Sequence, residues 1–284
     1  MRVEPVAQLD DPRVALYRNL RDAALRSASD VFLVEGRLNV ARLIDAPRYR
    51  TRSVFVTRAA LRGIERALAR LDAETPVYLA SQALMDQIVG YPMHRGCLAV
   101  GERGPALSLD ALLASPAPPP RRIAVLEDVS NPDNVGGVFR NALAFGVDAV
   151  LLTPRCADPL YRKALRVSMG AVLCVPFART PELAPALRRL RAAGFRVLAL
   201  CASRRERPLA ALGPLPERVA WLLGAEQGGL SAAARAEADL ALTIPMAPGI
   251  DSLNVATAAG IAFHHVAPQS PEPRAPCPAW QEPS

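Results

Sequence analysis

The chain has 284 residues, of which 51% are apolar, and its 34 basic against 27 acidic residues give a formal charge of +7. That balance supports a buried core for two modest domains or one large one, and it excludes a disordered polyelectrolyte. No run of about 18 uncharged apolar residues occurs, and the opening MRVEPVAQLDDPR carries acids and no apolar h-region, so neither a membrane span nor a signal peptide is expected and the cytoplasm is the expected compartment.

The surplus of positive charge suits a polyanionic partner, although Lys163 is the sole lysine and an arginine bias can equally reflect codon usage. Cys97, Cys156, Cys174, Cys201 and Cys277 are scattered, with no C-x-x-C pair and no histidine at ligand spacing. They read as structural thiols, and no metal is expected.

Along the chain, residues 12–26 (PRVALYRNLRDAALR) read as a polar, arginine-bearing helix. There follow a strand VFLVEG, a helix RLNVARLIDA, a strand RSVFVT, a helical RAALRGIERALARL, a strand PVYLA, a helix SQALMDQIV and a strand GCLAVGE. This alternation predicts a small α/β domain over residues 1–105, with parallel pairing favoured. Residues 106–121 end in SPAPPPR, and closely spaced prolines exclude helix there, so the stretch reads as an interdomain linker.

A second α/β domain, residues 122–268, opens with the strand RIAVLEDV, the loop SNPDNVGG and a helix through Phe139 to Phe145 stopped by Gly146. The strand VDAVLLT completes a βαβ unit. A helix from Pro181 to Ala193 precedes the strands RVLALCA and VAWLLGAE; then come the loop QGGLS, a short alanine-rich helix, the strand DLALTIPM, the loop APGIDSLN and a closing helix VATAAGIAFHH. A parallel sheet with helices on both faces is expected, followed by a proline-rich tail at 269–284 without apolar periodicity, expected to be disordered.

Three segments sit where strands give way to helices, the place where open α/β sheets bind ligands. They are NPDNVGGVFRNALAFG (131–146), GAEQGGLS (224–231) and IPMAPGIDSLNVA (244–256). None matches a Walker loop or a G-x-G-x-x-G fingerprint, which disfavours ordinary nucleotide enzymes. Paired glycines such as Gly136-Gly137 permit close backbone approach, and Ser231 can cap the helix that follows it.

Taken in order, the three segments resemble the motifs of the SpoU/TrmH branch of the SPOUT methyltransferases. Asn131, Pro132, Asn134, Gly136, Arg140, Ala142, Phe145 and Gly146 fill the first; Gly224, Glu226, Gly229, Leu230 and Ser231 the second; Ile244, Pro245, Met246, Ser252, Leu253, Asn254 and Val255 the third. Ser168 and Gly170 in RVSMGAVLCVPF are similar to the family's linking segment, and Glu35-Gly36 and Gly96 resemble its ribosomal-protein-like substrate-binding domain. The departure is at the closing helix, where Phe263-His264-His265 replaces the usual aromatic residue and glutamate.

The resemblance implies a trefoil knot in the second domain, a homodimer involving the apolar closing helix, and S-adenosyl-L-methionine as cofactor. It implies cofactor contacts from Gly224, Ile244, Met246 and Leu253, and a catalytic group of Arg140, Asn134, Glu226, Ser252 and Asn254 acting on a ribose 2′-hydroxyl. Deprotonating a guanidinium at neutral pH costs about 8 kcal/mol, so Arg140 is expected to stabilise charge on the oxygen rather than act as a base. Large-subunit rRNA is the first expected substrate and tRNA the second, with Arg18, Arg21, Arg37 and Arg42 as candidate RNA contacts. A non-catalytic RNA-binding protein of the same fold is the competing class. A small-molecule methyltransferase of the Rossmann type is disfavoured by the lack of a glycine-rich loop after either domain's first strand.

Overall fold

The computed structural model describes residues 2–18, 30–114, 119–213 and 217–266. The described residues divide into two compact units: one gathers those up to Pro105 with Leu160–Cys174, the other those of Ala106–Pro159 with those from Val175 to Val266.

In the first unit β1 (Arg2–Pro5), β2 (Val31–Glu35), α1 (Arg37–Asp45), β3 (Arg50–Thr57), α2 (Arg58–Arg62), α3 (Glu65–Leu68), β4 (Pro76–Ala80), α4 (Gln82–Val89) and β5 (Cys97–Glu102) follow in order. The strands form one sheet, β1-β4-β3-β5-β2. Pairing is mixed rather than parallel throughout: β5 runs antiparallel to both β3 and β2. The core of this unit packs Val14, Tyr17, Phe55, Met85, Ile88 and Leu98, and the buried Tyr17 hydroxyl is satisfied by Ser53 Oγ at 2.7 Å.

Two helical expectations change here. Of the arginine-bearing helix only a 3-10 turn, Pro12–Tyr17, lies among the described residues, and Arg18 is already extended; the remainder falls outside them. The stretch 58–71 is two short helices, because Gly63 ends the first and Ile64 starts the next.

The second unit opens with α5 (Leu109–Leu113) and continues with β6 (Arg122–Leu126), α6 (Pro132–Phe145) and β7 (Ala149–Leu152). The next two helices, α7 (Arg162–Val167) and α8 (Ala171–Cys174), belong to the first unit, where Arg162 donates to the Tyr91 hydroxyl at 2.7 Å. Then come β8 (Phe177–Arg179), α9 (Leu183–Ala192), β9 (Arg196–Leu200), β10 (Arg207–Pro208), β11 (Val219–Leu223), α10 (Ala232–Ala236), β12 (Leu240–Thr243) and α11 (Val255–His265).

All seven strands of this unit pair in parallel, in the order β10-β12-β9-β11-β6-β7-β8. RIAVL, VAWLL and RVLAL are near-continuous apolar runs, as strands covered on both faces require. Residues 106–121, read above as a linker, are part of this unit. Ser108 Oγ accepts from Ala111 N at 3.1 Å to cap α5, and Leu112 is buried in the core with Ile123, Val125 and Leu187. The prolines that suggested a linker come only after this helix.

Candidate functional site

The first motif is helix from its second residue, not a loop. Asn131 Oδ1 accepts from Asp133 N at 2.9 Å as N-cap, Pro132 takes the first helical position, and Gly146, at φ 71°, closes the C-terminus. Gly137 therefore serves packing rather than a turn: a Cβ there would lie 2.7 Å from Ala256 Cβ of α11. The two helices are also tied by Asn141 Nδ2, which donates to Ala256 O at 2.7 Å. His264 stacks edge-on against Phe145 at 5.4 Å, so one of the two departing histidines packs within its own chain.

The second motif is a glycine hairpin folded back on its start. A Cβ on Gly224 would meet Gly229 C at 2.4 Å and Leu230 N at 2.5 Å, while Gly228 and Gly229 hold φ of 83° and 64°. The buried carboxylate of Glu127, at the end of β6, accepts from Ser231 N at 2.8 Å and so anchors the far end of this loop. Ser231 in turn caps α10 through Ala234 N at 3.1 Å. The third motif ends on Asn254, whose Oδ1 accepts from Ala256 N and Thr257 N at the start of α11.

The second and third segments line one cavity of about 350 Å³ at the C-terminal ends of β9, β11 and β12. Gly224, Glu226, Ile244, Met246, Ser252 and Leu253 all line it. Asn134, buried on α6, reaches the same place by hydrogen bonds: its Nδ2 donates to the Glu226 carboxylate, and its Oδ1 accepts from Asn254 Nδ2 at 2.8 Å. Eight residues, from all three motifs, are thus joined or share one wall.

Arg140 stands apart. It is exposed on α6, does not line the cavity, and has no hydrogen-bond or ion-pair partner among the described residues. It is a free cation one and two-thirds turns along the helix from Asn134.

Sequence reasoning missed the wall that follows β9, namely Leu200, Cys201, Ala202 and Ser203, and also Arg235 on α10. Arg235 pairs with Glu206 at 2.7 Å. The position of Cys201 just past a strand end is the available signal. Burial raises the Cys201 thiol above its ordinary range, partly opposed by Arg235.

The arginines proposed for RNA contact separate. Arg42 is buried, its guanidinium donates to Met169 O, and burial lowers its pKa, so it is a packing residue and not a surface contact. Arg18 donates to Asp11 O at 2.8 Å, Arg37 is exposed, and Arg21 lies outside the described residues. Cys97, Cys156 and Cys201 are free thiols, whereas Cys174, expected as one, stands in a disulfide. Among the described residues no group of three or more His, Cys, Asp or Glu could hold a metal ion, and no helix is long and apolar enough to cross a membrane.

Comparison with known proteins agrees with this arrangement. An uncharacterised tRNA/rRNA methyltransferase of Mycobacterium tuberculosis is 40% identical over 279 residues, 94% of each chain. The 23S rRNA (guanosine-2′-O-)-methyltransferase of Nitrosomonas europaea is 35% identical over 190 residues, covering 66% of this chain and 72% of that one. The AdoMet-bound rRNA methyltransferase of Sinorhizobium meliloti superposes with a TM-score of 0.76 at 25% identity, covering 93% and 97% of the two chains. The SpoU rRNA methylase family itself matches residues 121–264, the span that carries the cavity and all three motifs, and the chain belongs to that family.

Proposed function

We propose that this chain is an S-adenosylmethionine-dependent RNA methyltransferase that modifies a ribose 2′-hydroxyl of structured RNA, with large-subunit rRNA the first substrate to test and tRNA the second. The observation that carries this reading is the cavity walled by the second and third motifs, with the Glu226–Asn134–Asn254 network beside it. The named activities of the Nitrosomonas and Mycobacterium relatives support it.

The cavity fits the cofactor on its own chemistry. Its volume falls in the range of small-molecule sites, about 300–1,000 Å³. Leu200, Leu223, Ile244, Met246 and Leu253 offer an apolar slot for a purine, and the backbone around Gly224 can approach closely because no side chain intervenes. Glu226 and Arg235 provide one charge of each sign for a ligand that carries both. Bound S-adenosylmethionine supplies an activated methyl group on sulfonium.

The chain's own residues then hold the ribose. Asn134, fixed at both ends of its amide, sets which atoms of Glu226 and Asn254 face the substrate, and the Ser252 hydroxyl adds a donor or acceptor at the cavity wall. Arg140, unpaired on the protein, is free to place its guanidinium on the developing 2′-alkoxide and an adjacent phosphate. The proposal includes a trefoil knot, supported by the match to the SpoU rRNA methylase family. It also includes a cytoplasmic location and a homodimer, the dimer supported by the large apolar Ile261 exposed on α11. Calorimetry with S-adenosylhomocysteine should give micromolar affinity, about −8 kcal/mol; well-folded protein that binds none at millimolar ligand removes the cofactor. Mapping lost 2′-O-methyl sites in a deletion strain identifies the RNA, and light scattering reads the dimer.

A further inference from the structure

One wall of the cavity is a loop that belongs to none of the three motifs. Residues 201–206 follow β9, and Cys201, Ala202 and Ser203 of this loop line the cavity. Both of its ends are fixed to β12. Cys201 N donates to Leu242 O at 2.8 Å, and β10, which follows directly, pairs Arg207 with Leu242 and Pro208 with Thr243. Between these anchors the loop keeps its bend through one internal turn, in which Ser203 Oγ accepts from Arg205 N and Ser203 O from Glu206 N, each at 3.2 Å.

Two side chains reach from this loop to the other walls. Arg204 Nη2 donates at 3.0 Å to Ala247 O, next to Met246 of the third motif, and Glu206 pairs with Arg235 of α10 at 2.7 Å. Met246 and Arg235 line the cavity, whereas Arg204 and Glu206 do not. Arg204 and Ala247 are exposed, and Arg235 keeps 46% and Glu206 23% of its side chain in solvent. The two clasps therefore lie on the solvent side of the wall they hold.

Their strength suits a closure that opens. An exposed carboxylate–guanidinium pair is weak and screened by salt, because water competes for both groups and two long side chains lose freedom in holding it. A guanidinium on an exposed carbonyl gives up a bond that water replaces. Beyond Ala247 the third motif's loop stays exposed through Ser252, and Gly249, at φ 88°, has open space around it. That side can yield without disturbing packed side chains.

We propose that residues 202–206 form a strap over the cofactor cavity, and that Arg204 and Glu206, through Ala247 and Arg235, set how fast the cofactor enters and its demethylated product leaves. The inference rests on the proposed reading of this cavity as the S-adenosylmethionine site. A strap and a ligand contact differ in kinetics. Weakening the clasps raises the open fraction of both the free and the liganded chain, so association and dissociation accelerate together and affinity hardly moves. Removing a group that touches the ligand acts mainly on dissociation.

Stopped-flow tryptophan fluorescence with S-adenosylhomocysteine measures both rates, Trp221 standing on β11 two residues before Leu223 of the cavity wall. The full chain is compared with Arg204→Ala, with Glu206→Gln and with the two combined. Arg189→Ala is the control, since Arg189 pairs with Asp110 and lies outside the cavity wall. The combined variant should associate and dissociate at least about threefold faster than the full chain, with Kd within about twofold of its value. Each single variant should show part of that effect and Arg189→Ala none. Raising KCl from about 50 to 500 mM should quicken exchange in the full chain, by screening Glu206 from Arg235, and much less in Glu206→Gln. Unchanged rates in the combined variant overturn the proposal. So does faster dissociation with an equal loss of affinity, which makes the loop a ligand contact. A well-folded full chain that binds no S-adenosylhomocysteine at millimolar concentration gives a different result from either, and removes the cofactor reading and the strap with it.

Discussion

Asn254 and Asn134 meet through a hydrogen bond of 2.8 Å, from the Nδ2 of the first to the Oδ1 of the second. This single contact fixes which way the buried Asn134 amide points, since its Nδ2 is then left for the Glu226 carboxylate. An aspartate in its place keeps the acceptor for Asn254 but turns a second carboxylate toward Glu226 with no proton between them. Asn134→Asp should therefore cost about 1–3 kcal/mol at the site, read as a roughly tenfold to hundredfold fall in methyl transfer. Acidification should return part of the rate by protonating one of the two carboxylates. Single-turnover rates across pH check this, and full activity in Asn134→Asp at neutral pH would show that the network does not position the site.

Gly224 is the point where the second motif's loop folds onto its own beginning. Gly224→Ala forces a Cβ against the backbone of Gly229 and Leu230, which cannot swing aside as a side chain can. The expected cost is about 1–3 kcal/mol of overpacking, with S-adenosylhomocysteine affinity falling at least tenfold in calorimetry while circular dichroism keeps its helical signal. Gly228→Ala has open space around it and meets only the positive φ of 83°, so its loss should be smaller. The reverse ranking would contradict the loop geometry.

Cys201 offers a chemical probe of the cavity it lines. Its thiol is raised above the ordinary value of 9.0, chiefly by burial, and a raised pKa means less thiolate at any given pH. Alkylation by iodoacetamide should therefore be slow at neutrality and climb only in the alkaline range. Cys97, pushed up to about 12 by burial, should stay silent. Saturating S-adenosylhomocysteine should protect Cys201, as read by mass spectrometry of its peptide; equal labelling with and without ligand would place the ligand elsewhere.

Much of the second unit was legible because buried parallel strands write themselves as short apolar runs, and VAWLL and RVLAL could be little else. The closing helix is legible at its observed bounds, 255–265, as the apolar run VATAAGIAFHH, and the structure adds that Asn254 caps it. The start of α6 was misread since Gly136-Gly137 looks like a turn, and only the approach of α11 explains a glycine within a helix. Leu109–Leu113 was hidden by the prolines after it. Nor could one-dimensional spacing show that Arg42 turns inward while Arg37 stays in water, because both stand on the same short helix and burial depends on what packs against it.

The last prediction concerns Arg140, exposed and unpaired on α6 and not part of the cavity wall. Because it does not line the cavity, Arg140→Ala should leave S-adenosylhomocysteine affinity within about twofold of the parent, well under the 1.4 kcal/mol of a tenfold change, while abolishing methyl transfer. Lysine separates the two roles the residue could have. A guanidinium that spans the 2′-oxygen and a phosphate works as a planar fork, which an ammonium cannot reproduce, so Arg140→Lys should lose most of the rate at every pH. A residue acting as a base would behave otherwise, since lysine gives up its proton about three pH units earlier than arginine and its rate should climb with pH. Single-turnover rates for both variants between about pH 6 and 9, a window below the ordinary lysine pKa of about 10.4, decide between them. Arg140→Ala with normal turnover removes the residue from the chemistry, and Arg140→Lys recovering fully at the alkaline end restores the base.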